Sequence, residues 1–329
     1  MVQQSEPQAT GGKWYLTADG GGTKLQCILF DDQLRLRGFG QSGGTNTNFI
    51  GREAVRAHME EAVRACLGDW RGELDTVWAT IVGPAELLRE VVSSFVPLRR
   101  FVPHGEAYAY LLAGALSDRG CVALAGTGSG AAYVGGGTCV HFGGYGSVFG
   151  DDGSGWWIGS HGLNAAVRDL EGWGPATGLT ERMYRYLRIE SREQINQAVY
   201  GGERDPRSVA AGFCSQVGAA ADAGDAAALR IVREAAELLA LQMRGLFLRT
   251  GIAADTPVVA CGGAWRSTPL LLQYFVEILQ EVYPAPVSTA LFAPAMHGVA
   301  AMLLERGENP LDRLALLSDR FAAYRQRPL

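Results

Sequence analysis

The sequence predicts a two-lobed α/β protein in which each lobe holds a mixed β-sheet covered by helices. The chain has 329 residues, which is longer than one ordinary domain. Its first third alternates strand-like and helix-like runs. A strand, a glycine turn with a hydroxyl residue and a second strand occur twice, near residues 20 and 127. This repetition favours duplicated lobes that face a common cleft.

The amino-acid composition limits which partners and which cellular compartment are compatible with the sequence. The formal net charge is −5 and no basic cluster occurs, which argues against nucleic acid as a partner. No apolar run reaches the ~18 residues needed to span a membrane. The six cysteines form no CxxC pair, and no signal peptide pattern precedes them. We therefore expect a cytoplasmic protein with free, buried thiols and a small-molecule ligand.

In the N-terminal third, the spacing of apolar residues predicts the order of strands and helices. Apolar and charged residues alternate at helical spacing between residues 52 and 67, with Val55, Met59, Val63 and Cys66 on one face. Strand-like runs flank this helix at 14–18, 24–30, 35–41, 74–83 and 99–103. Residues 1–13 are expected to form a disordered tail, and 14–117 an N-terminal lobe.

A second cycle begins near residue 118 and defines a C-terminal lobe over 118–293. Its first strands flank the sequence GTGSG, and the remainder is mostly helical. Helices are predicted at 160–171, 176–188, 191–199, 207–221, 225–250 and 267–281. A closing helix pair at 295–306 and 311–326 places 294–329 back on the N-terminal lobe.

The first glycine turn follows an apolar strand and reads Asp19-Gly20-Gly21-Gly22-Thr23-Lys24. Glycine suits a backbone that approaches a ligand closely. The turn is not a Walker loop, because GxxxxGK[ST] is absent and a strand follows it. Taken alone, it is also compatible with a plain glycine-rich hairpin.

Two further glycine turns end apolar strands, Gly126-Thr127-Gly128-Ser129 and Cys261-Gly262-Gly263-Ala264-Trp265. A nucleoside triphosphate needs several backbone N–H groups and hydroxyls around its phosphates, and a carboxylate such as Asp19 for Mg²⁺. The third turn is predicted to open a helix whose N-terminus faces the nucleotide. A dinucleotide fingerprint at Gly126 is rejected, because a strand rather than a helix follows.

Two other segments carry polar residues that packing does not require. The loop GGYGSVFGDDGSGWWIG, residues 143–159, places Asp151 and Asp152 before a helix. Asp152 or Ser154 fits a helix N-cap, and Asp151 is the better functional candidate. Thr45, Asn46 and Thr47 precede the helix at 52, where they fit either a capped helix start or a surface for sugar hydroxyls.

The order DGGGT, GGTN, GTGS, GGxG…GDxGS and CGG resembles the N-acetylglucosamine kinases of the BadF/BadG/BcrA/BcrD-type ATPase family, within the actin-like ATPase and sugar-kinase superfamily. The resemblance spans about residues 14–305 and implies a ribonuclease H-like fold in each lobe. It implies ATP and Mg²⁺ as cofactors. The nucleotide-binding positions that it implies are Asp19 (also the metal ligand), Gly21, Gly22, Thr23, Lys24, Thr127, Gly128, Ser129, Ala211, Gly262, Gly263 and Ser267. The sugar-binding positions are Thr45, Asn46, Thr47, Gly144, Tyr145, Gly146 and Asp151.

One position departs from the family pattern. Relatives carry a catalytic aspartate upstream of the strand that leads into GTGS. In this chain the corresponding segment, VPHGEAYAYLLAGAL, contains no aspartate, and its carboxylate is Glu106. Glu106 is therefore the expected general base, with Asp151 as the second catalytic acid. The resemblance implies an ATP-dependent kinase for the 6-hydroxyl of N-acetylglucosamine or glucosamine, and a homodimer. The alternatives are a BadF-type activator ATPase and a non-catalytic sugar sensor, and N-acetylmuramic acid is another possible sugar.

Overall fold

A computed structural model describes residues 12–22, 24–47, 50–202 and 205–326 of the chain. The chain divides into two compact units. Unit 1 combines the described residues up to Ser117 with Leu291–Gln326, and unit 2 is the continuous segment Asp118–Ala290. Each unit contains one five-stranded sheet.

Unit 1 begins with a three-stranded meander and continues with two parallel strands. Its strands are β1 (Trp14–Gly20), β2 (Leu25–Asp31), β3 (Leu36–Ser42), β4 (Leu74–Ile81) and β5 (Leu98–Pro103). The sheet order is β3-β2-β1-β4-β5, antiparallel among the first three strands and parallel from β1 through β5. The helices between strands are α1 (Arg52–Leu67), α2 (Ala85–Phe95) and α3 (Glu106–Ala115).

Unit 2 repeats this strand order. It comprises β6 (Gly120–Ala125), β7 (Ser129–Gly135), β8 (Thr138–Gly143), α4 (Gly155–Leu170), α5 (Leu179–Leu187), α6 (Ile195–Tyr200), α7 (Pro206–Asp222), α8 (Ala226–Thr250), β9 (Val258–Cys261), α9 (Pro269–Gln280) and β10 (Val287–Thr289). The sheet order β10-β9-β6-β7-β8 again joins an antiparallel meander to two parallel strands. The repeated architecture expected from the two glycine turns is confirmed.

The chain returns to unit 1 with α10 (His297–Glu305) and α11 (Leu314–Arg320). Alternating residues of β1 face the two sides of the first sheet. Leu16 and Ala18 pack with α1 and α2, whereas Tyr15 packs with α3, α10 and α11. The sheet of unit 1 is therefore buried on both faces, and its second face is covered by residues from the end of the chain.

Helix starts follow local sequence signals. Ser154 caps α4 by accepting a hydrogen bond from the backbone N–H of Trp157, 3.1 Å away. Asp205 accepts from the N–H groups of Arg207 and Ser208 and is followed by Pro206 at the first helical position of α7. Both arrangements satisfy N–H groups that a helix leaves without internal partners.

Several boundaries differ from the predicted ones. Helix α4 begins five residues before the predicted start at 160, because Ser154 is its N-cap. The predicted helix 191–199 is a 3₁₀ turn followed by the short α6. The predicted helix 311–326 is interrupted, with 3₁₀ turns at Pro310–Arg313 and Ala322–Tyr324 around α11. Strand β10 was not predicted, since three residues are too few to show an alternating pattern.

Cys139 is exposed on β8, so the expectation that the cysteines are buried is wrong for this residue. The other five cysteines are buried and free. Within the described ranges, no helix is both long and apolar enough to cross a membrane.

Helices α4 and α7 pack with backbone close to backbone. A Cβ atom on Gly159 of α4 would lie well inside van der Waals contact of the carbonyl oxygen of Ala210 on α7. Such close approach requires glycine, because a side chain would push the helices apart.

We predict that Gly159→Ala lowers the free energy of unfolding by at least about 1–3 kcal/mol, the usual cost of forcing extra atoms into a packed contact. Urea unfolding monitored by circular dichroism measures the change. Gly202→Ala is the matched control, because a Cβ there meets no atom within 4 Å. Equal stabilities of the two variants would contradict the packing described for α4 and α7.

Candidate functional site

The first glycine turn in unit 1 is held by two other chain segments, one at Gly44 and Thr45 and one at Val82. Gly20 O accepts a hydrogen bond from the N–H of Val82, and Gly21 O accepts one from the N–H of Thr45, both at 2.8 Å. A Cβ on Gly44 would overlap the carbonyl oxygen of Gly22. The turn therefore depends on glycine for close backbone contact as well as for its own shape. Thr23, a predicted nucleotide contact, lies outside the described residues.

The predicted sugar-binding segment adjoins this turn. Thr45 is fully buried, and its hydroxyl donates to Val82 O at 3.2 Å, so the side chain braces the turn. Asn46 is half-buried and Thr47 is exposed. The N-cap residue of α1 is Gly51, so Thr45, Asn46 and Thr47 do not occupy the N-cap position that a capped helix start in this segment would require.

Two carboxylates of unit 1 influence each other. Asp19 is the last residue but one of β1, and its pKa is raised to about 7, chiefly because burial disfavours its charged form. The nearby negative charge of Glu106 adds to this rise, and the positive charge of Lys24 opposes it. Glu106 is exposed and is the first residue of α3, after the N-cap Gly105. The structure thus brings together a predicted metal ligand and the predicted general base.

Two histidines of unit 1, the fully buried His297 and the half-buried His104, pack against each other, and neither was singled out from the sequence. The rings of His104 and His297 are 5.2 Å apart between centroids. Burial lowers the pKa of His104 to about 4 and that of His297 to about 3, so both rings are neutral near pH 7. His297 Nδ1 lies 2.9 Å from Pro294 O, which places its proton on Nδ1. The proximity of His104 to Glu106 in sequence is the one signal that pointed to this pair.

The second glycine turn, in unit 2, presents backbone and hydroxyl groups at the junction of β6 and β7. The N–H of Gly126 donates to Gly128 O at 2.8 Å, which closes the turn. Thr127 is exposed, whereas Ser129 is buried and donates through its hydroxyl to Asp152 O at 2.7 Å. Thr127 is therefore accessible to a ligand, whereas the hydroxyl of Ser129 stabilises the turn itself.

Asp151 anchors this turn from the loop before α4. One carboxylate oxygen accepts from the N–H of Ser129 at 3.1 Å, and the other contacts Arg207 Nη2 at 2.5 Å. Asp151 is 4% exposed and adopts a left-handed conformation with φ of 62°. A non-glycine residue in this region costs about 1–3 kcal/mol and is often found at functional sites. The geometry gives Asp151 a supporting role in the turn in addition to the predicted role in sugar binding.

The third glycine turn lies directly against the second. Gly262 has φ of 113°, and a Cβ there would overlap Ala125 O. Trp265 stabilises the contact between the two turns, because its Nε1–H donates a hydrogen bond to Ala123 O at 3.1 Å. A 3₁₀ turn, Ala264–Arg266, follows instead of the predicted helix start, and α9 begins only at Pro269.

The remaining predicted residues of unit 2 surround these two turns or extend from them. Gly263 is exposed, and the half-buried Ser267 donates through its hydroxyl to Ala264 O at 2.7 Å. Ala211 of α7 approaches Gly155, whose N–H donates to Gly126 O at 2.8 Å. The structure therefore gathers the second turn, the third turn and Ala211 in one region of unit 2.

The segment predicted to contact sugar is a tight, exposed bend after β8. Gly143, Gly144 and Gly146 have φ near 80°, which favours glycine. Tyr145, between them, is 75% exposed. Gly143 pairs with Gly130, the residue after Ser129, so the bend begins beside the second turn.

The residues present fit ATP and Mg²⁺. Asp19 and Glu106 are neighbouring carboxylates of which one has its pKa raised, and a divalent cation would relieve the repulsion between them. Mg²⁺ is usually held by one or two carboxylates together with substrate phosphates. The glycine turn at 126–128 offers a backbone surface of the kind that cradles phosphate oxygens. Within the described parts of the chain, no group of three or more His, Cys, Asp or Glu side chains is placed to form a metal site by itself.

The raised pKa of Asp19 makes stability depend on pH. The folded state keeps the proton up to about pH 7, whereas the ordinary pKa is 3.8. The stabilising effect of protonated Asp19 is therefore complete below about pH 4 and is lost as pH rises through about 7. We predict that Asp19→Asn, which cannot ionise, is more stable than the wild type at about pH 8 by roughly 1–4 kcal/mol, and equally stable at about pH 4.

Urea unfolding across this pH range, in buffer without divalent cations, measures the difference. Glu61→Gln removes an exposed carboxylate from α1 and serves as the control. A difference between Asp19→Asn and wild type that stays constant with pH would show that Asp19 does not titrate in this range.

Comparison with known proteins identifies the family. Residues 18–294 match the BadF/BadG/BcrA/BcrD ATPase family. The chain is 25% identical over 285 residues to the N-acetylmuramic acid/N-acetylglucosamine kinase of Clostridium acetobutylicum, covering 83% of this chain and 92% of the relative. It is 24% identical over 311 residues to the N-acetyl-D-glucosamine kinase of Dictyostelium discoideum, covering 88% and 97%.

A solved protein of Chromobacterium violaceum, whose name as an N-acetylglucosamine kinase is provisional, superposes with a TM-score of 0.69 at 19% identity. The superposition covers 88% of this chain and 99% of the solved one, and it confirms the actin-like fold. The family match extends over far more than half of the chain and agrees with the motif order DGGGT, GGTN, GTGS, GDxGS and CGG. The protein belongs to the BadF/BadG/BcrA/BcrD ATPase family.

Proposed function

We propose that the protein is an ATP-dependent amino-sugar kinase that phosphorylates the 6-hydroxyl of N-acetylglucosamine or of its close relative glucosamine. The observation that carries the proposal is the pair of carboxylates in unit 1, Asp19 and Glu106, beside a glycine turn. Phosphoryl transfer to a hydroxyl needs a base for the hydroxyl and a ligand for the metal. The two kinases that match over more than nine-tenths of their own length support the same reaction.

Glu106 would accept the proton of the attacking hydroxyl. It is exposed at the start of α3, where it can reach a ligand. Glutamate carries one methylene more than the aspartate of relatives. The extended N-cap Gly105, which has open space around its α-carbon, gives the backbone freedom to accommodate that length.

Asp19 would hold Mg²⁺, which supplies charge neutralisation for the phosphates when it is bound. Cation binding would also favour the ionised form of Asp19 against the burial that raises its pKa. Lys24 lies close enough to act on Asp19 electrostatically and adds a second positive charge for the phosphates. We propose that Gly21, Gly22 and Thr23 supply backbone and hydroxyl donors in the same turn.

Unit 2 would supply the second set of phosphate donors and the adenosine contacts. Thr127, Gly128 and the N–H groups of their turn would stabilise charge on the transferred group. Gly262, Gly263, Ser267 and Ala211 would hold the nucleoside, since the third turn packs on the second. Asn46, Thr47 and Tyr145 would contact the sugar, and Asp151 would hold a sugar hydroxyl.

Three finer features belong to the same proposal. We propose Mg²⁺ as the metal, the cytoplasm as the location and a homodimer as the assembly. The five buried free cysteines fit a reducing compartment.

An ADP-release assay across a panel of sugars tests the function. We expect turnover with N-acetylglucosamine or glucosamine, and the panel includes N-acetylmuramic acid and glucose. Sugar binding measured by calorimetry without ADP release would instead favour a non-catalytic sensor. Iron in the purified protein, with nucleotide hydrolysis and no sugar phosphorylation, would favour an activator ATPase.

We predict that Glu106→Ala lowers kcat by about 10²–10⁴-fold, the usual contribution of a general base. Sugar affinity should change little, because Glu106 acts on the proton in the transition state. Single-turnover kinetics and calorimetry measure the two quantities separately.

Glu61→Ala, which removes an exposed carboxylate from α1, is the control and should retain full turnover. Glu106→Asp, which restores the residue type of relatives, should retain more turnover than Glu106→Ala. A Glu106→Ala variant with wild-type kcat would remove Glu106 from the mechanism.

A further inference from the structure

Helix α8 carries apolar side chains on its solvent side as well as on its buried side. The helix has 25 residues, and its buried apolar residues pack into the core of unit 2. Leu241 and Leu248 are instead exposed, with exposed fractions of 58% and 81%. The two leucines are seven residues apart, so they lie on the same side of the helix. None of the residues assigned above to ATP or to sugar lies on α8.

The exposed apolar surface extends to the end of α9. Val282 follows α9 and is 56% exposed. Its neighbour Tyr283 stacks on Phe247 of α8, with 4.6 Å between the ring centroids, so this segment lies against the C-terminal part of α8. Single exposed leucines are ordinary on a protein surface. Leucines repeated at heptad spacing on one side of a helix are typical of a contact with another helix.

Two exposed charges of opposite sign lie at similar distances on either side of Leu241. Glu234 is seven residues before Leu241 and Arg249 is eight residues after it, which corresponds to about 10 Å and about 12 Å along the helix axis. Arg233 and Glu237, by contrast, pair with each other within the helix at 3.4 Å. A second α8 that crosses antiparallel at Leu241 therefore brings Glu234 of each copy beside Arg249 of the other. A parallel crossing brings like charges together.

We propose that two copies of the chain associate through antiparallel α8 helices, with Leu241 of one copy packed on Leu241 of the other. This inference rests on the homodimer put forward with the proposed function and gives that assembly a surface. A twofold interface uses the same patch on both subunits, so the patch must be complementary to itself. The face of α8 meets this requirement, because one helix carries both members of the ion pair between Glu234 and Arg249.

The size of the face sets the strength of the association. A helix of 25 residues is about 37 Å long and about 10 Å wide, so α8 offers roughly 400 Å² per copy. Stable interfaces bury about 800 Å² per partner. We therefore expect a weak, reversible dimer with a dissociation constant on the order of 10 μM.

Sedimentation velocity of the full-length protein between about 1 and 100 μM tests the association and does not depend on kinase activity. We expect the wild type to change from monomer to dimer across this range. Leu241→Lys places a charge at the centre of the contact in both copies, so the dissociation constant should rise at least about tenfold. Leu311→Lys is the matched control, because Leu311 is also exposed but belongs to unit 1. This variant should associate like the wild type.

Exchange of the two charges tests the antiparallel register. Glu234→Arg alone and Arg249→Glu alone each bring like charges together, so each should weaken the dimer about tenfold. The double variant Glu234→Arg/Arg249→Glu restores opposite charges across the contact and should associate about as strongly as the wild type. Residues with a role only in α8 itself give no such recovery. Circular dichroism verifies that each variant is folded.

Three results would overturn the inference at different levels. A wild type that stays monomeric at about 100 μM would overturn both the α8 contact and the homodimer. A dimer that Leu241→Lys leaves intact would overturn the α8 contact alone. A double charge variant as weak as the single ones would overturn the antiparallel register. Each of these results is distinct from a failure of phosphoryl transfer, which the ADP-release assay measures separately.

Discussion

The close approach of backbone segments at the ends of strands is the constraint on which the rest of the structure depends. In unit 1, Gly44 lies against Gly22, and in unit 2, Gly262 lies against Ala125 and Gly126. A Cβ atom at either position would overlap backbone, which cannot move aside as a side chain can. Turns built in this way present N–H groups and carbonyls with little side-chain cover. The high glycine content, 44 residues, thus has a structural reason at each turn.

The carboxylate of Asp151 shows how a buried charge stabilises such a turn. It accepts from the N–H of Ser129 on one side and pairs with Arg207 on the other. Removal of one member of a buried ion pair usually costs more than the pair contributes, because the remaining charge is left without compensation. The loop before α4, the second glycine turn and the first turn of α7 therefore form one electrostatic unit. A ligand that binds to any member of this unit changes the environment of the others.

Local sequence features predicted the parts of the molecule that local physics determines. The glycine turns and the hairpins around them follow from apolar alternation and glycine placement, and the Ser154 cap follows from residue type. Contacts between distant segments were not predictable in this way. Arg207 meets Asp151 across 56 positions, and His104 meets His297 near the end of the chain. Periodicity describes one element at a time, so it identifies neither the partner of a charge nor the bracing role of Thr45.

The division of the chain has a consequence for synthesis on the ribosome. Unit 2 is one uninterrupted segment, and its residues have all emerged once Ala290 has left the exit tunnel. The second face of the sheet in unit 1 stays uncovered for longer, because Phe292, Val299 and Phe321 are needed to bury Tyr15 and Trp78. Nascent domains usually form in order from the N-terminus. Here unit 2 can fold before unit 1 is complete, and the apolar face around Tyr15 and Trp78 stays exposed until Phe292, Val299 and Phe321 have been synthesised.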